Sequence, residues 1–320
     1  MKFSIFFPTG FAREFTAIPD PRDTYERLIQ LAKTADDAGY ESLLVPDHLT
    51  TLPPAQQPLF EAWSLITALA GHTTRIRLGQ LVTSVGYRNP ALAAKIASTV
   101  DVLSGGRLIF GIGAGWYGPD YTQYGFEFGA PKERLRRLDE AAQIIRKLWT
   151  QDVATFDGTY YQVRDAINQP KGLQKPHIPL LIAGGGEKVT LRTVAKYADA
   201  SNIIDSAEVA RHKYVVLKRH ADDVGRDYST IHRTLTVLVN IADTDAQARA
   251  HLPANLLPIY PGDVATYGLI GTVDTVAERI AAYQDAGVQE LVLHFSDPTS
   301  VEQIAHFADT FIGRHAPSAP

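Results

Sequence analysis

Short apolar runs alternate with amphipathic stretches along most of the chain. Apolar runs of about four to eight residues between turn residues are typical of strands buried on both faces, whereas apolar residues three and four apart indicate helices. The pattern predicts strands at 3–7, 42–45, 76–82, 108–112, 179–182, 200–204, 234–241 and 289–294. It predicts helices at 23–38, 60–71, 90–103, 131–149, 187–197, 207–224, 272–286 and 300–312. Eight strands, most of them followed by a helix, favour a single α/β fold, the (β/α)8 TIM barrel.

Two stretches interrupt this alternation. The first, near 150–178, contains Asp157-Gly158, a strong two-residue signal for a hairpin turn. The second, near 245–270, is irregular and carries several prolines, so we interpret it as an insertion or a lid. We therefore expect one barrel domain over 1–314 with these two insertions, followed by a flexible tail at 315–320.

The fourth predicted strand ends in an alternating run of glycine residues. Gly111, Gly113 and Gly115 are spaced two apart, so one face of the strand carries no side chains there. A flat ligand or another backbone could approach that face closely, and Trp116, directly after the run, could form a wall or lid for a planar ring. Tight packing at the rim of a barrel explains the same spacing equally well.

The residues that follow the predicted strands are the candidates for chemistry, because TIM barrels carry their active sites at the carboxyl ends of the strands. Asp47 and His48 follow the second strand. An imidazole titrates near neutrality, so His48 is the best acid–base candidate, with the alternative that the pair only caps a loop. Neighbouring residues on an extended stretch point in opposite directions, so we expect Asp47 to hold a loop or a ligand rather than His48. His294, at the end of the eighth strand, is more typical of a hydrogen-bonded rim residue.

Three consecutive glycines, Gly184 to Gly186, lie between the fifth predicted strand and the helix that follows it. Main-chain amides at the N-terminus of a helix are suited to binding a phosphate group. A tight turn from strand to helix needs glycine as well. The sequence therefore leaves two interpretations open, a phosphate site and a structural turn.

Composition narrows the range of partners. The formal net charge of −4 offers no basic surface for nucleic acid. No apolar run approaches the roughly 20 residues that a membrane-spanning helix needs. The chain has no cysteine, which removes disulfides, thiol nucleophiles and cysteine-based metal sites, and which fits a reducing compartment. We therefore expect no metal, no nucleic-acid or membrane partner, and a cytoplasmic location.

Six strings of residues resemble the bacterial luciferase-like superfamily of flavin and deazaflavin oxidoreductases. They are VPDHL (45–49), TRIRLGQLVTS (74–84), YRNPALAAKIASTVDVLSGGRLIFGIGAGW (87–116), ERLRRLDEAAQIIRKLW (133–149), PHIPLLIAGGGEKVTLRTVAKYADASNI (176–203) and GTVDTVAERIAAYQDAGV (271–288). Together they span nearly the whole chain in the order that the family has them. Within the superfamily the chain is most similar to the branch that uses coenzyme F420, an 8-hydroxy-5-deazaflavin.

The resemblance implies a luciferase-like TIM barrel with insertions, in which the cofactor ring lies at the carboxyl ends of the strands. The residues that match the family's cofactor contacts are Asp47, His48, Leu81, Val82, Ser84, Ala114, Gly115, Gly185 and Gly186. Of these, Leu81-Val82 matches the place of a bulge with a non-prolyl cis peptide bond, and Gly185-Gly186 matches the phosphate contact. In the sugar-phosphate dehydrogenase branch a glutamate acid–base group follows the glycine run, but here Trp116 stands there. This departure speaks against a sugar phosphate and favours an apolar or aromatic face of the substrate pocket.

The resemblance also implies the reaction. We expect an F420-dependent oxidoreductase that transfers hydride between the deazaflavin and a small organic substrate, by C=C or C=N reduction or by alcohol oxidation. His48 is the catalytic residue that this implies, because it could donate or accept the accompanying proton. The main alternative is an FMN-dependent monooxygenase on the same barrel. A less favoured alternative is a barrel that binds flavin without catalysis. We further expect a homodimer.

Overall fold

Twelve strands and ten α-helices form most of the regular structure of the described residues, 1–313, in this computed structural model. The strands are β1 (Lys2–Phe6), β2 (Ser42–Val45), β3 (Arg77–Gln80), β4 (Thr83–Ser84), β5 (Leu108–Gly113), β6 (Ala154–Asp157), β7 (Gln162–Ala166), β8 (Leu180–Ala183), β9 (Ala200–Ile203), β10 (His232–Ile241), β11 (Leu269–Gly271) and β12 (Glu290–Phe295). The helices are α1 (Pro21–Asp37), α2 (Ala62–Ala70), α3 (Pro90–Leu103), α4 (Gly118–Tyr124), α5 (Pro131–Thr150), α6 (Thr190–Tyr197), α7 (Ala207–Asp223), α8 (Asp245–Ala250), α9 (Val273–Asp285) and α10 (Val301–Phe307). Within 1–313, no helix is both long and apolar enough to cross a membrane.

Eight of the strands close into a parallel barrel. Its order is β1, β2, β3, β5, β8, β9, β10 and β12, and β12 pairs with β1 to complete the ring. The short strand β4 extends the edge of β5, and β11 extends that of β10. The predicted (β/α)8 barrel is therefore confirmed.

Local sequence signals explain where several helices begin. Asp20 caps α1 by accepting hydrogen bonds from the main-chain amides of Arg22 and Asp23, and Pro21 occupies the first turn, where its missing N–H costs nothing. Thr272 caps α9 in the same way, by accepting a hydrogen bond from the amide of Thr275. These helices begin within two residues of their predicted starts.

The barrel strands separate two apolar regions. Leu44, Ile109, Leu181 and Val292 come from four different strands and pack together in one buried cluster. Their neighbours along each strand belong to a second and larger cluster, which includes the apolar faces of the helices. This alternation is what a closed barrel requires, since successive side chains of a strand point to opposite faces.

The structure differs from the sequence predictions at four places. The third predicted strand stops at Gln80, because a bulge follows it: Gly79 pairs with Ile109 of β5, but Thr83 pairs with Ile112. The first insertion does contain a hairpin, but four residues, 158–161, connect β6 to β7 instead of a two-residue turn at Asp157-Gly158. The second insertion contains α8 and β11, and α4 lies in a stretch with no predicted element. The predicted tail at 315–320 lies outside the described residues, and the division of 1–314 into a barrel with insertions stays a prediction.

Candidate active site

A cavity of about 620 Å³ opens where the barrel strands end at their carboxyl termini. Among the residues that line it are Asp47, His48, Leu81, Val82, Ser84, Ala114, Gly115, Trp116 and Gly185. Gly186 is the one predicted site residue that does not line the cavity; the position of a Cβ on it lies 2.8 Å from Oγ1 of Thr190. The fold thus brings nine of the ten predicted site residues together around one space.

The bare face of the glycine strand is covered by the chain itself. A Cβ on Gly113 would lie 2.6 Å from Cγ2 of Val82, and a Cβ on Gly111 would overlap the main-chain oxygen of Gln80. The glycines therefore admit the segment from Gln80 to Val82, which carries a cis peptide bond between Leu81 and Val82. The sequence left open a flat ligand, another backbone or tight packing at the rim; close approach of another backbone applies at Gly111 and Gly113, and Val82 lines the cavity together with Gly113.

A pair of hydroxyl groups lies next to Gly115, the third glycine of this run. The Ser84 Oγ and Tyr121 Oη atoms are 2.5 Å apart, and either can donate the hydrogen bond. A side chain on Gly115 would collide with both hydroxyl groups, and its φ of +80° also favours glycine. Ser84 is thus held by α4 through Tyr121 while it lines the cavity.

His48 lies at the mouth of the cavity with its ring fixed on several sides. Nδ1 is 2.7 Å from Oδ2 of Asp120, a residue in the first turn of α4. The Phe11 ring stacks on the imidazole with a centroid separation of 3.6 Å and an interplanar angle of 9°. The rings of Trp116 and Tyr117 contact it edge-on at 5.8 and 5.6 Å. No hydrogen bond joins Nε2 to another residue within 1–313, so this atom is available to a bound molecule.

The sequence led us to expect no contact between the Asp47 carboxylate and His48, and the structure has none within 1–313. It forms an ion pair with Arg88 at 2.6 Å, and Arg88 also bonds Glu61. Burial raises the pKa of Asp47 above its ordinary value, while the charge of Arg88 opposes that shift. Glu61 caps α2 by accepting a hydrogen bond from the main-chain amide of Ser64. This carboxylate therefore has a structural role and is not a free acid–base group.

Trp116 is the most exposed aromatic side chain on the rim of the cavity, with 55% of its surface accessible. It borders Phe11 and Tyr117 at ring separations of 6.2 and 5.3 Å. The indole therefore stands at the entrance and is not packed beneath the following loop.

The loop from Gly184 to Gly186 presents free main-chain donors. Helix α6 begins at Thr190, three residues later than predicted, so the glycines do not themselves start the helix. The amides of Gly185 and Gly186 donate no hydrogen bond to any other residue that the structure describes. The Cβ position on Gly185 is 3.7 Å from Cε of Lys213, which places a cationic side chain beside the loop. Free amides next to a lysine can hold an anionic group.

The second insertion covers part of the cavity through Tyr260. Its hydroxyl is 2.9 Å from Nδ1 of His294, and both side chains are buried. Burial lowers the pKa of His294 to about 3, so the ring is neutral, and the tautomer decides which of the two groups donates the hydrogen bond. His294 is thus a hydrogen-bonded residue that anchors the insertion, and Tyr260 and its neighbour Pro261 line the cavity.

The sequence analysis missed several residues that shape this site. They are Phe11, Tyr87, Arg88, Asp120, Tyr121, Thr190 and Tyr260. A signal for α4 was present, because Pro119 can start a helix and Gly125 adopts the left-handed conformation that ends one. The others depend on contacts between residues far apart in the chain.

The family relationship follows from comparison with known proteins. Residues 1–263 match the family model described as luciferase-like monooxygenase. This chain belongs to the luciferase-like monooxygenase family. The predicted resemblance is confirmed by this match, which covers most of the barrel of the luciferase-like protein.

Curated relatives of this luciferase-like protein carry two kinds of name. An F420-dependent glucose-6-phosphate dehydrogenase from Amycolatopsis mediterranei is 37% identical over 56% of this chain and 50% of that relative. An enzyme of the same name from Gordonia bronchialis is 28% identical over 86% of this chain and 88% of its own length. An FMNH(2)-dependent dimethylsulfone monooxygenase from Pseudomonas putida is 26% identical, with 89% and 85% covered.

A solved structure supports the fold. An F420-dependent secondary alcohol dehydrogenase in complex with an F420-acetone adduct aligns with a TM-score of 0.82 over 98% of each chain. The identity between the two sequences is 19%, so the likeness concerns the barrel and its insertions.

Proposed function

We propose that this luciferase-like protein is an F420-dependent oxidoreductase that transfers hydride between the deazaflavin and a small organic substrate. The observation that carries the proposal is that two groups suited to the cofactor and the reaction line the same cavity. His48 offers a free imidazole nitrogen there, and Gly185 lies in a loop with unbonded amides. Relatives named for F420 cover most of the chain and support the same cofactor.

The residues of the cavity fit such a cofactor. Val82 gives an apolar wall for a flat ring, and Ser84 and Asn202 are buried polar side chains on the same cavity. The free amides of Gly185 and Gly186, with Lys213 beside them, suit a phosphate group at some distance along a long ligand. We therefore assign Asp47, Leu81, Val82, Ser84, Ala114 and Gly115 to the ring and Gly185 and Gly186 to the phosphate.

When bound, the deazaflavin supplies hydride transfer chemistry. Nε2 of His48 accepts a proton from the substrate during alcohol oxidation, and in the protonated ring it donates one during reduction, because Nδ1 is already bonded to Asp120. The rings of Phe11 and Trp116 border the imidazole and offer apolar surface to the substrate. Indole has no acid–base function, so the proton passes through His48.

A cofactor-binding titration tests the proposal first, and a measurement of turnover tests it second. The protein is titrated separately with F420 and with FMN, and we expect saturable binding of F420. His48→Ala should then retain F420 binding and lose turnover by roughly 10²–10⁴-fold, the range for a lost proton-transfer group. His306→Ala is the matched control, since His306 is exposed on α10. Failure of the wild-type protein to bind F420 would overturn the proposal.

Substrate preference tests the role of Trp116. We expect Trp116→Phe to change the relative rates with bulky and small alcohols without changing the melting temperature, because the side chain is half exposed at the entrance. A lower melting temperature with unchanged preference would instead give Trp116 a packing role.

An FMN-dependent monooxygenase is the second candidate, and the relative from Pseudomonas putida is the observation that favours it. Binding of FMN without F420, with oxygen consumption in the presence of reduced FMN, would support it. Binding without turnover of either cofactor would support a non-catalytic barrel. A homodimer and a cytoplasmic location remain part of the proposal, and sedimentation of the purified protein tests the first.

A further inference from the structure

We propose that Asp120 is a positioning residue that fixes the tautomer of His48, so that Nε2 of the imidazole faces the cavity as the proton-transfer atom. The inference deepens the proposed function and rests on the role given there to His48. Its basis is the arrangement of hydrogen-bond donors around one buried carboxylate.

Every contact of the Asp120 carboxylate is with a donor. Oδ2 is 2.7 Å from Nδ1 of His48 and accepts the hydroxyl hydrogen of Tyr87 at 2.6 Å. Oδ1 accepts hydrogen bonds from the amides of Leu49 and Thr50, at 3.1 and 2.7 Å, and from the Thr50 hydroxyl at 2.7 Å. A carboxylate that is surrounded in this way is ionised and can only accept.

The charge state of Asp120 agrees with this geometry. Burial by itself would raise the pKa of Asp120, but the hydrogen bonds from His48, Tyr87 and Thr50 outweigh it and lower the pKa below the ordinary value. Burial and the hydrogen bond to Asp120 raise the pKa of Tyr87, so this hydroxyl keeps its proton and donates it. Asp47, the other acidic group near His48, is paired with Arg88.

An ionised acceptor at Nδ1 determines the tautomer of the imidazole. Nδ1 must carry a hydrogen to bond Oδ2, which leaves Nε2 with the lone pair in the neutral ring. The stacked ring of Phe11 and the edges of Trp116 and Tyr117 restrict rotation of the imidazole. The same logic of base and orienting carboxylate operates in other enzymes, where replacement of the carboxylate by its amide reverses the tautomer.

Nuclear magnetic resonance of the cofactor-free protein tests the tautomer directly. Protein labelled with ¹⁵N-histidine is compared with His48→Ala to assign the two ring nitrogens of His48. In wild-type protein we expect a protonated Nδ1 and an unprotonated Nε2 at a pH where the ring is neutral. The opposite tautomer in wild-type protein would overturn the inference without any variant.

Two substitutions separate positioning from packing. Asp120→Asn places an amide opposite Nδ1 and should shift His48 toward the Nε2–H tautomer. Tyr87→Phe removes a different hydrogen bond to the same oxygen atom and should leave the His48 tautomer unchanged. A tautomer that is the same in Asp120→Asn as in wild type, with only a lower melting temperature, would reduce Asp120 to a structural residue.

Kinetics with F420 give the functional readout. We expect Asp120→Asn to lower kcat by roughly 10²–10⁴-fold with KM and F420 affinity nearly unchanged, as for loss of a correctly oriented base. A loss confined to F420 affinity would contradict positioning. If wild-type protein does not turn over F420 at all, the proposed function fails, whereas the magnetic resonance experiment still decides the role of Asp120.

Discussion

Removal of the Arg88 side chain should strongly destabilise the fold, because it would leave the carboxylate of Asp47 buried without a counter-charge. Two nitrogens of Arg88 lie 2.6 and 3.3 Å from the two oxygens of Asp47. The Asp47 side chain is fully buried, and only 15% of the Arg88 side chain is exposed. Arg88→Leu keeps the apolar part of the side chain and removes the charge and all of these contacts.

The expected loss of unfolding free energy is about 3–5 kcal/mol at pH 7, the usual cost of breaking a buried ion pair by removing one partner. Glu61 adds little to this figure, since 37% of its side chain is exposed and it keeps its bonds to α2. Burial raises the pKa of Asp47, and the loss of Arg88 should raise it further. A carboxylate whose pKa is raised in the folded state costs stability as the pH rises, so the loss should be smaller at pH 5 than at pH 7.

Urea denaturation at both pH values measures this loss. The double variant Arg88→Leu with Asp47→Asn should recover a large part of it, because the uncompensated charge is gone. Lys218→Leu is the matched control: its ion pair with Asp222 is more than half exposed on both sides and should contribute less than about 1 kcal/mol. A loss for Arg88→Leu as small as that of the control, or a double variant without recovery, would refute the reasoning.

Three further perturbations test other parts of the molecule. Burial raises the pKa of Glu14 from 4.5 to about 7, so wild-type stability should fall as the pH rises from the lower to the higher of these values, and the advantage of Glu14→Gln in urea denaturation should be larger at pH 8 than at pH 5. Gly113→Ala should lower the melting temperature, since its Cβ would lie 2.6 Å from Val82, and adding Val82→Ala should restore part of the loss. Gly185→Asp should weaken F420 in a binding titration and leave the melting temperature unchanged, because its Cβ lies no closer than 3.7 Å to Lys213.

The fold could be predicted because its signals are local. Each barrel strand is a short apolar run. The helices between the strands carry start signals, such as the cap Thr272 of α9 and Pro90 in the first turn of α3. Helix α4 was missed because it has only seven residues and two of them, Asp120 and Tyr121, are its buried positions. A pattern of apolar residues cannot reveal a helix in which one of the two buried side chains is a carboxylate.

The site could be predicted only in part. The positions after each strand identified His48 and Trp116, since strand ends meet at one face of any such barrel. The partners of these residues come from elsewhere in the chain: Asp120 is 72 residues from His48, and Arg88 is 41 residues from Asp47. Such pairs depend on how loops converge in space, which spacing along one sequence does not encode.

Because Val82 covers the glycine face of β5, the size of the residue at position 82 sets how far the cavity extends toward that strand. The side chain of Val82 forms this wall of the cavity, because it occupies the space that side chains at Gly111 and Gly113 would need. A smaller residue at 82 would let a flat ring settle deeper, and a larger one would push it toward Trp116 at the entrance. One substitution could thus move the reacting edge of a cofactor relative to Nε2 of His48 without touching either group.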